Sequence, residues 1–167
     1  MGGDTADALD NVNQLECGEV LRFSNGEFYQ EDCVDFLRRI EDCSVTSIFA
    51  DPPYNLKKEA WDNLGDDKDY LNWSIRWIEE AARILNPQGT LFICGYTEIL
   101  ADLKAPAMQY FDRCRWLIWY YDNKANMRDD WGRSHESILC LRKKDYIFSK
   151  YFICIDFRPA NFVEFPP

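Results

Sequence analysis

Residues 45–54 read VTSIFADPPY, and this stretch decides the fold that the sequence predicts. Its first six residues are mostly apolar and rich in strand-forming types, which is typical of a buried strand. The strand must end at Asp51, because Pro52 and Pro53 lack the amide hydrogen that a central strand donates. An acidic residue and a rigid turn therefore follow a buried strand directly.

Strands and helices alternate around this stretch. Short β-rich or apolar runs predict four further strands, at residues 27–32, 90–95, 114–121 and 137–142. Helical spacing of apolar residues predicts helices at 33–40, at 70–85 with Asp69 as N-cap, and at 97–109. This order indicates an α/β fold with a partial parallel sheet and helices on both faces. Because ligands of such sheets bind outside the carboxyl ends of strands, we expect Asp32, Asp51–Tyr54 and Gly95 to share one crevice.

The composition is that of a globular protein. The chain has 167 residues, of which 47% are apolar and 29% are charged, which excludes fibrous and globally disordered chains. No apolar run approaches the roughly 20 residues that span a bilayer, and the N-terminus resembles neither a secretory signal nor a transit peptide. The seven cysteines form no CxxC pair and His135 is the one histidine. We therefore expect no metal site, and reduced thiols in a cytoplasmic protein.

The charge is unevenly distributed along the chain. The formal net charge of −10 argues against the simplest class of nucleic-acid binder, which is basic. Residues 1–103 carry 8 Lys/Arg and 21 Asp/Glu, whereas residues 104–150 carry 10 and 6. A basic excess therefore lies in one later segment, where contacts with phosphate groups are expected.

The sequence resembles the amino-group DNA methyltransferases of the permuted β-class over most of residues 26–150. The resemblance rests on GEFYQEDCVDFLRRIEDCSVTSIFADPPYNL at 26–56, EAWD at 59–62, RILNPQGTLFICG at 83–95, LIWYYDNKANMR at 117–128 and SHESILCLRKKDY at 134–146. One departure is Glu31, which stands where the family usually has glycine. The resemblance implies a Rossmann-like, S-adenosylmethionine-dependent methyltransferase fold and methyl transfer to the exocyclic amine of a base.

The candidate catalytic residues are Asp51, Pro52, Pro53 and Tyr54. An exocyclic amine is a poor nucleophile, because its lone pair is delocalised into the ring. The Asp51 carboxylate and the Pro52 carbonyl would accept the amine protons, and the rigid Pro52-Pro53 pair would hold these acceptors in place. Tyr54 would stack on a target base flipped out of the duplex. The alternative is a Pro-Pro turn with a structural aspartate.

By the resemblance, the residues that would bind S-adenosylmethionine are Asp32, Cys33, Asp51 and Tyr54. Asp32 would end the strand beside the cofactor adenine and accept a hydrogen bond from its amine, with the Cys33 amide near the ring. Asp51 and Tyr54 would border the methionine moiety. Asp32 can instead be only the N-cap of the following helix, and the two roles are compatible.

The candidate DNA-binding residues fall in the basic segment and are Lys124, Arg128, Trp131, Arg133 and His135. The lysine and the two arginines would contact phosphates, which position a duplex without reading its sequence. Trp131 would stack on a base. His135 begins a His-Glu pair that the family often places before a strand. The alternative is a solvated loop in which Trp131 is a surface anchor.

The sequence divides into a polar N-terminal lead-in (1–25), a methyltransferase catalytic part (26–150) and a C-terminal remnant (151–167). The family's FxGxG-type turn, which approaches the cofactor, has no counterpart here, and RPANFVEFP at 158–166 resembles the segment before it. Three hypotheses stay open: a methyltransferase without that part, a subunit completed by a second chain or by a homodimer, and a silent homologue that binds DNA or protein. We expect the isolated chain to bind S-adenosylmethionine weakly or not at all.

The expected substrate is double-stranded DNA. Adenine N6 is favoured over cytosine N4, because the cytosine enzymes more often carry Ser in place of Asp51. RNA is a third option, although Tyr54 after Asp51 favours DNA. We expect a cytoplasmic restriction-modification protein in a prokaryotic or phage-like context, with no membrane partner.

Overall fold

The structure is a computed structural model. It describes residues 18–23, 25–121, 132 and 134–146 with their side chains, and residues 153–156 as backbone. Within these ranges it contains seven strands, three α-helices and one short 3-10 helix, Ala60–Asp62.

The first two strands form a small antiparallel sheet of their own. Strand β1 (Val20–Phe23) pairs with β2 (Gly26–Tyr29), and β1 lies in the stretch predicted as a polar lead-in. The expectation that Asp32 closes a strand of the central sheet is therefore wrong. Glycine at position 26 favours a tight turn between the two strands. Strand β2 therefore pairs with β1 rather than with a strand of the central sheet, and it ends at Tyr29.

A five-stranded sheet forms the body of the molecule, in the order β5–β6–β4–β3–β7. Its strands are β3 (Val45–Asp51), β4 (Leu85–Gly95), β5 (Arg113–Tyr120), β6 (His135–Arg142) and β7 (Ile153–Asp156). β3 is parallel to β4 and β7, whereas β6 is antiparallel to β4 and β5. The sheet is mixed, which corrects the predicted parallel sheet, because the consecutive strands β5 and β6 pair directly with each other. No strand is predicted from the sequence at residues 153–156, where β7 lies.

Three helices connect the strands: α1 (Cys33–Arg39), α2 (Asp67–Ile84) and α3 (Thr97–Ala107). The N-cap of α2 is Asp66 rather than the predicted Asp69. Its side chain accepts a hydrogen bond from the Asp69 amide at 2.8 Å, and the Asp69 side chain accepts from the Asp66 amide at 3.4 Å. This reciprocal pair is a capping box, in which Asp69 is the third residue of the helix.

The hydrophobic core lies between the helices and one face of the sheet. Neighbouring strands align Ile48 with Leu91 and Leu91 with Leu141, so their side chains form a continuous apolar row. Helix residues such as Trp77 and Leu100 cover this row, and all of these side chains are fully buried. Burying each large apolar side chain stabilises the fold by about 1.5–3 kcal/mol.

The opposite face of the sheet bears an open groove of about 180 Å³. The residues that line it are Ser47, Thr90, Phe92, Arg115, Leu117, Cys140, Arg142 and Tyr146. All three described helices join the core on the first face, so within the described residues no helix covers the second face, where the sequence predicts one. In the described ranges, no helix has the length and apolar character needed to cross a membrane.

Candidate active site

The carboxyl ends of β3 and β4 meet at one edge of the sheet. Pro52 and Pro53 are buried behind Asp51, and the Tyr54 hydroxyl donates a hydrogen bond to Asp51 Oδ1 at 3.0 Å. The ring of Tyr54 contacts that of Tyr96, which follows β4, with the ring centres 4.9 Å apart. The predicted meeting of Asp51–Tyr54 with the end of β4 is present, and it presents a carboxylate beside two aromatic rings.

The hydroxyl of Tyr54 is held in its protonated form. Burial is the largest cause of a raised Tyr54 pKa, and the negative charges of Asp51 and Glu136 raise this pKa further. The hydroxyl therefore remains a donor to Asp51 at physiological pH. Glu136 follows His135 in β6, so this strand contributes a second acidic residue to the electrostatics of the site.

The segment that begins with the two prolines, residues 52–66, is called the site loop here. Asn55 closes one end of it, because its Oδ1 accepts from the Leu64 amide at 2.9 Å and its Nδ2 donates to the Gly65 carbonyl at 3.3 Å. Gly65 has a φ of +87°, and a Cβ there would lie 2.5 Å from Asp69 Oδ2. The residue at this junction must therefore be glycine.

Helix α2 anchors the site loop at Pro53. The buried Tyr70 hydroxyl donates a hydrogen bond to the Pro53 carbonyl oxygen at 2.8 Å. Burial raises the pKa of Tyr70 to about 12, so the hydroxyl remains protonated and able to donate. This bond fixes the Pro53 peptide relative to the first turn of α2.

Asp32 is the N-cap of α1. Its Oδ1 accepts hydrogen bonds from the Val34 amide at 2.9 Å and the Asp35 amide at 3.1 Å, so the capping interpretation is confirmed. Asp32 itself is exposed. The adjoining Cys33 thiol is largely buried, and burial followed by the Asp32 charge raises its pKa to about 12. Cys33 therefore carries a neutral thiol rather than a reactive thiolate.

Four of the five candidate DNA-binding residues lie outside the described residues, namely Lys124, Arg128, Trp131 and Arg133. His135 is described and is the first residue of β6, where it pairs with Tyr120 of β5. It is partly buried.

Four residues that contact or influence the Asp51–Tyr54 turn and the site loop are not among the predicted site residues. These are Asp62, Tyr70, Tyr96 and Glu136. Signals for two of them are present in the sequence: Asp62 ends the EAWD piece, and Tyr96 follows the predicted end of β4 directly. Tyr70 is predicted only as the start of a helix, because sequence spacing does not show that its hydroxyl reaches back to Pro53.

The sequence is similar to those of known DNA methyltransferases. The Type II methyltransferase M.BamHI of Bacillus amyloliquefaciens is 42% identical over 102 residues, which are 54% of this chain and 24% of that protein. The DNA adenine methyltransferase YhdJ of Escherichia coli K12 is 30% identical over 154 residues, which are 86% of this chain and 51% of YhdJ. The chain thus spans about half the length of YhdJ and a quarter of M.BamHI.

A solved structure shows the same fold. The PvuII DNA methyltransferase, which is cytosine-N4-specific, superposes with a TM-score of 0.64 at 15% identity, over 83% of this chain and 60% of that one. The Rossmann-like α/β methyltransferase fold implied by the resemblance is confirmed. The family model described as DNA methylase matches residues 45–158, which is more than half of the chain. The chain therefore belongs to the N6/N4 DNA methylase family.

Proposed function

We propose that this chain is the catalytic part of a site-specific DNA methyltransferase that transfers a methyl group from S-adenosylmethionine to adenine N6. The observation that carries the proposal is the Asp51 carboxylate at the end of β3, which accepts a hydrogen bond from Tyr54, whose ring contacts that of Tyr96. A buried Pro52-Pro53 pair holds this carboxylate at the strand end. Such preorganised acceptors stabilise charge that develops on a reacting amine.

The reaction needs no covalent enzyme intermediate. The amine nitrogen of the flipped base attacks the sulfonium methyl group, so a nitrogen–carbon bond forms as the carbon–sulfur bond breaks. The Asp51 carboxylate and the Pro52 carbonyl accept the amine protons, which localises the nitrogen lone pair, and the proton that is lost leaves through Asp51. The rings of Tyr54 and Tyr96 offer a stacking surface for the base.

The residues proposed for the cofactor suit its functional groups. Asp32 Oδ1 is engaged by two amides of α1, and within the described residues no hydrogen bond is formed by Oδ2 of this exposed carboxylate. A carboxylate oxygen of this kind accepts from an adenine amine or a ribose hydroxyl. The Cys33 amide, Asp51 and Tyr54 complete the proposed set. The bound cofactor supplies the electrophilic methyl group.

Lys124, Arg128, Trp131, Arg133 and His135 are proposed to contact double-stranded DNA. The sequence between residues 104 and 150 has a surplus of Lys and Arg, in contrast to the acidic remainder of the chain. If Lys124, Arg128 and Arg133 each neutralise one phosphate, the slope of the logarithm of the DNA-binding constant against the logarithm of the salt concentration is about −2.7. Replacing the three cations with alanine should remove that contribution.

The open face of the sheet supports a second polypeptide segment as part of the working enzyme. We infer that the glycine-motif segment expected after residues 151–167, in this chain or in a second one, completes the fold begun by residues 26–150. The groove on this face carries apolar side chains together with Arg115 and Arg142, as an interface for a further layer would. A homodimer is the other arrangement considered. Its supporting observation is the edge strand β5, where Ile118, Trp119 and Tyr120 are 57–63% exposed.

The experiment that tests the function measures methyl transfer from labelled S-adenosylmethionine to double-stranded DNA, by the chain alone and with a glycine-motif segment added. Nucleoside analysis of the product separates N6-methyladenine from N4-methylcytosine. We expect N6-methyladenine with the added segment, and its loss in Asp51→Ala. Undiminished transfer by the variant would exclude the proposed role of Asp51.

The second candidate function is a DNA- or protein-binding homologue without catalysis. It predicts no labelled product under any complementation, together with binding of DNA that does not depend on Asp51. The hydrogen-bonded Tyr54–Asp51 pair favours the enzyme, because a binding module has no need for an oriented carboxylate beside a stacking surface. A prokaryotic or phage-like restriction-modification setting belongs to the same proposal.

A further inference from the structure

Asp62 ties the far end of the site loop to the residues that follow Tyr54. Its Oδ2 accepts a hydrogen bond from the Leu56 amide at 2.9 Å, and its backbone oxygen accepts from the Lys57 amide at 3.1 Å. The side chain is 4% exposed, although it stands between the exposed residues Trp61 and Asn63. Within the described residues, Asp62 Oδ1 is buried without a hydrogen-bond partner. Burying a carboxylate oxygen without a hydrogen-bond partner costs free energy, so the buried position of Asp62 requires a structural or functional reason.

The backbone between Tyr54 and Asp62 is strained. Asn55 and Lys57 have φ values of +54° and +58°, in the left-handed region that residues other than glycine rarely adopt. Each such residue costs about 1 kcal/mol or more and persists only when surrounding contacts hold it. The two hydrogen bonds that Asp62 accepts come from Leu56 and Lys57, which means that they act on the strained stretch itself.

We propose that Asp62 is a positioning residue, which acts through the Leu56 and Lys57 amides to hold the backbone after Tyr54 and thereby keeps Tyr54 against Asp51. The inference rests on the proposed function for its catalytic consequence. Asn55 and Tyr70 fix neighbouring points of the same loop, at Leu64 and Gly65 and at Pro53. Of these three residues, Asp62 is the one that fixes the backbone directly after the Asp51–Tyr54 turn.

The variants that test this role are Asp62→Ala and Asp62→Asn, with Asp67→Ala as the matched control. Alanine removes the acceptor for the Leu56 amide, whereas asparagine keeps an amide oxygen of the same reach. Asp67 is an exposed aspartate in the first turn of α2, close in sequence to the site loop but outside this network.

The first measurement is the rate of trypsin cleavage after Lys57 and Lys58, followed by mass spectrometry in the unliganded chain. We expect Asp62→Ala to raise this rate about tenfold, because losing one hydrogen bond to a charged group is sufficient for a change of that size. Asp62→Asn and Asp67→Ala should remain within about twofold of the parent chain. Cleavage after Lys104 in α3 reports global unfolding.

Two outcomes would overturn the proposal. One is an unchanged rate at Lys57 and Lys58 in Asp62→Ala. The other is an equal increase after Lys104, which would make Asp62 a general stabiliser of the fold. This measurement needs neither cofactor nor DNA, so its result is independent of whether the chain methylates DNA.

The second measurement concerns the chemical step in the chain complemented by the glycine-motif segment. Asp62→Ala should lower kcat about tenfold and leave KM for S-adenosylmethionine within about threefold, and Asp62→Asn should restore kcat. A change confined to KM, or an inactive Asp62→Asn, would contradict a positioning role. Absence of methyl transfer by the parent would contradict the proposed function, while the cleavage result would still decide whether Asp62 holds the loop.

Discussion

Tyr70 contributes both to the stability of the fold and to the geometry of the site. Its hydroxyl is buried in the first turn of α2 and donates to the Pro53 carbonyl. Ionisation would leave a buried charge facing a carbonyl oxygen, which explains why burial raises its pKa from 10.0 to about 12. The folded chain therefore binds the phenolic proton more tightly than the unfolded chain does.

This difference predicts how stability depends on pH. The contribution of Tyr70 is fully present below pH 10 and is lost as pH rises from the unfolded pKa of 10.0 to the folded value of about 12. The loss is on the order of 2 kcal/mol. Denaturant unfolding of the parent chain and of Tyr70→Phe across this range measures it. The variant should lose less stability than the parent, and equal losses would contradict the assignment.

Cys33 shows how burial removes reactivity. Its thiol lies against the core cluster, and its pKa is raised to about 12 by burial and by Asp32. Only a small fraction of thiolate exists at neutral pH, and the thiolate is the nucleophile.

A competition between cysteines tests this expectation. At a pH of about 8, iodoacetamide should modify the exposed Cys43 at least roughly tenfold faster than Cys33. Peptide mapping by mass spectrometry of the native chain gives both rates in one sample, and denatured chain provides the control in which the rates converge. Equal rates in the native chain would show that Cys33 is accessible and ionised.

At the scale of the elements, Arg83 joins the end of α2 to the end of α1. Its Nη2 donates to the Leu37 carbonyl at 2.8 Å and its Nη1 to the Ile40 carbonyl at 3.0 Å. It also forms ion pairs with Glu80 and Asp42. The Leu37 carbonyl also accepts from the Ile40 amide at 3.0 Å. The last carbonyls of a helix lack the amide partner that the next turn would supply, so the guanidinium adds a C-terminal cap from another element.

Replacing Arg83 with lysine should separate the contribution of the guanidinium's planar shape from that of its positive charge. Arg83→Lys keeps the positive charge but replaces the planar fork with one ammonium group, which is poorly suited to both carbonyls at once. We expect a loss of about 1–2 kcal/mol in the free energy of unfolding. The control is Arg38→Lys, whose side chain is 60% exposed and forms surface pairs, and which should cost less than about 1 kcal/mol. Equal losses would contradict the capping role.

At the scale of the whole molecule, the sequence predicts the sheet well where one element follows another. The apolar run at β3 and the helical spacing before β4 predict these two elements within a few residues, because local patterning and burial agree there. The end of β4 is predicted correctly, but the strand begins at Leu85, five residues before the predicted start. The parallel assignment fails at β5 and β6, because apolar content does not show the direction of pairing. It fails at Asp32 as well, because a hairpin with residues 20–23 competes with the central sheet.

Only the part of the candidate site that is local in sequence is predicted. Asp51–Tyr54 stands out in sequence, because prolines end a buried strand in a recognisable way. The groups that hold it are distant in sequence: Tyr70 lies 17 residues from Pro53, and Tyr96 reaches Tyr54 through the pairing of two strands. Tertiary contacts of this kind have no periodic signal, and only the folded chain brings them together.

The most direct test of the central claim is the rate of methyl transfer by Asp51→Asn, in the complemented chain under single-turnover conditions. Asparagine keeps the shape of the side chain and a hydrogen-bond acceptor for Tyr54, but it removes the negative charge that stabilises the reacting amine. We predict a loss of at least about 100-fold, with the far-ultraviolet circular dichroism of the parent retained. A rate within about threefold of the parent would contradict catalysis by Asp51.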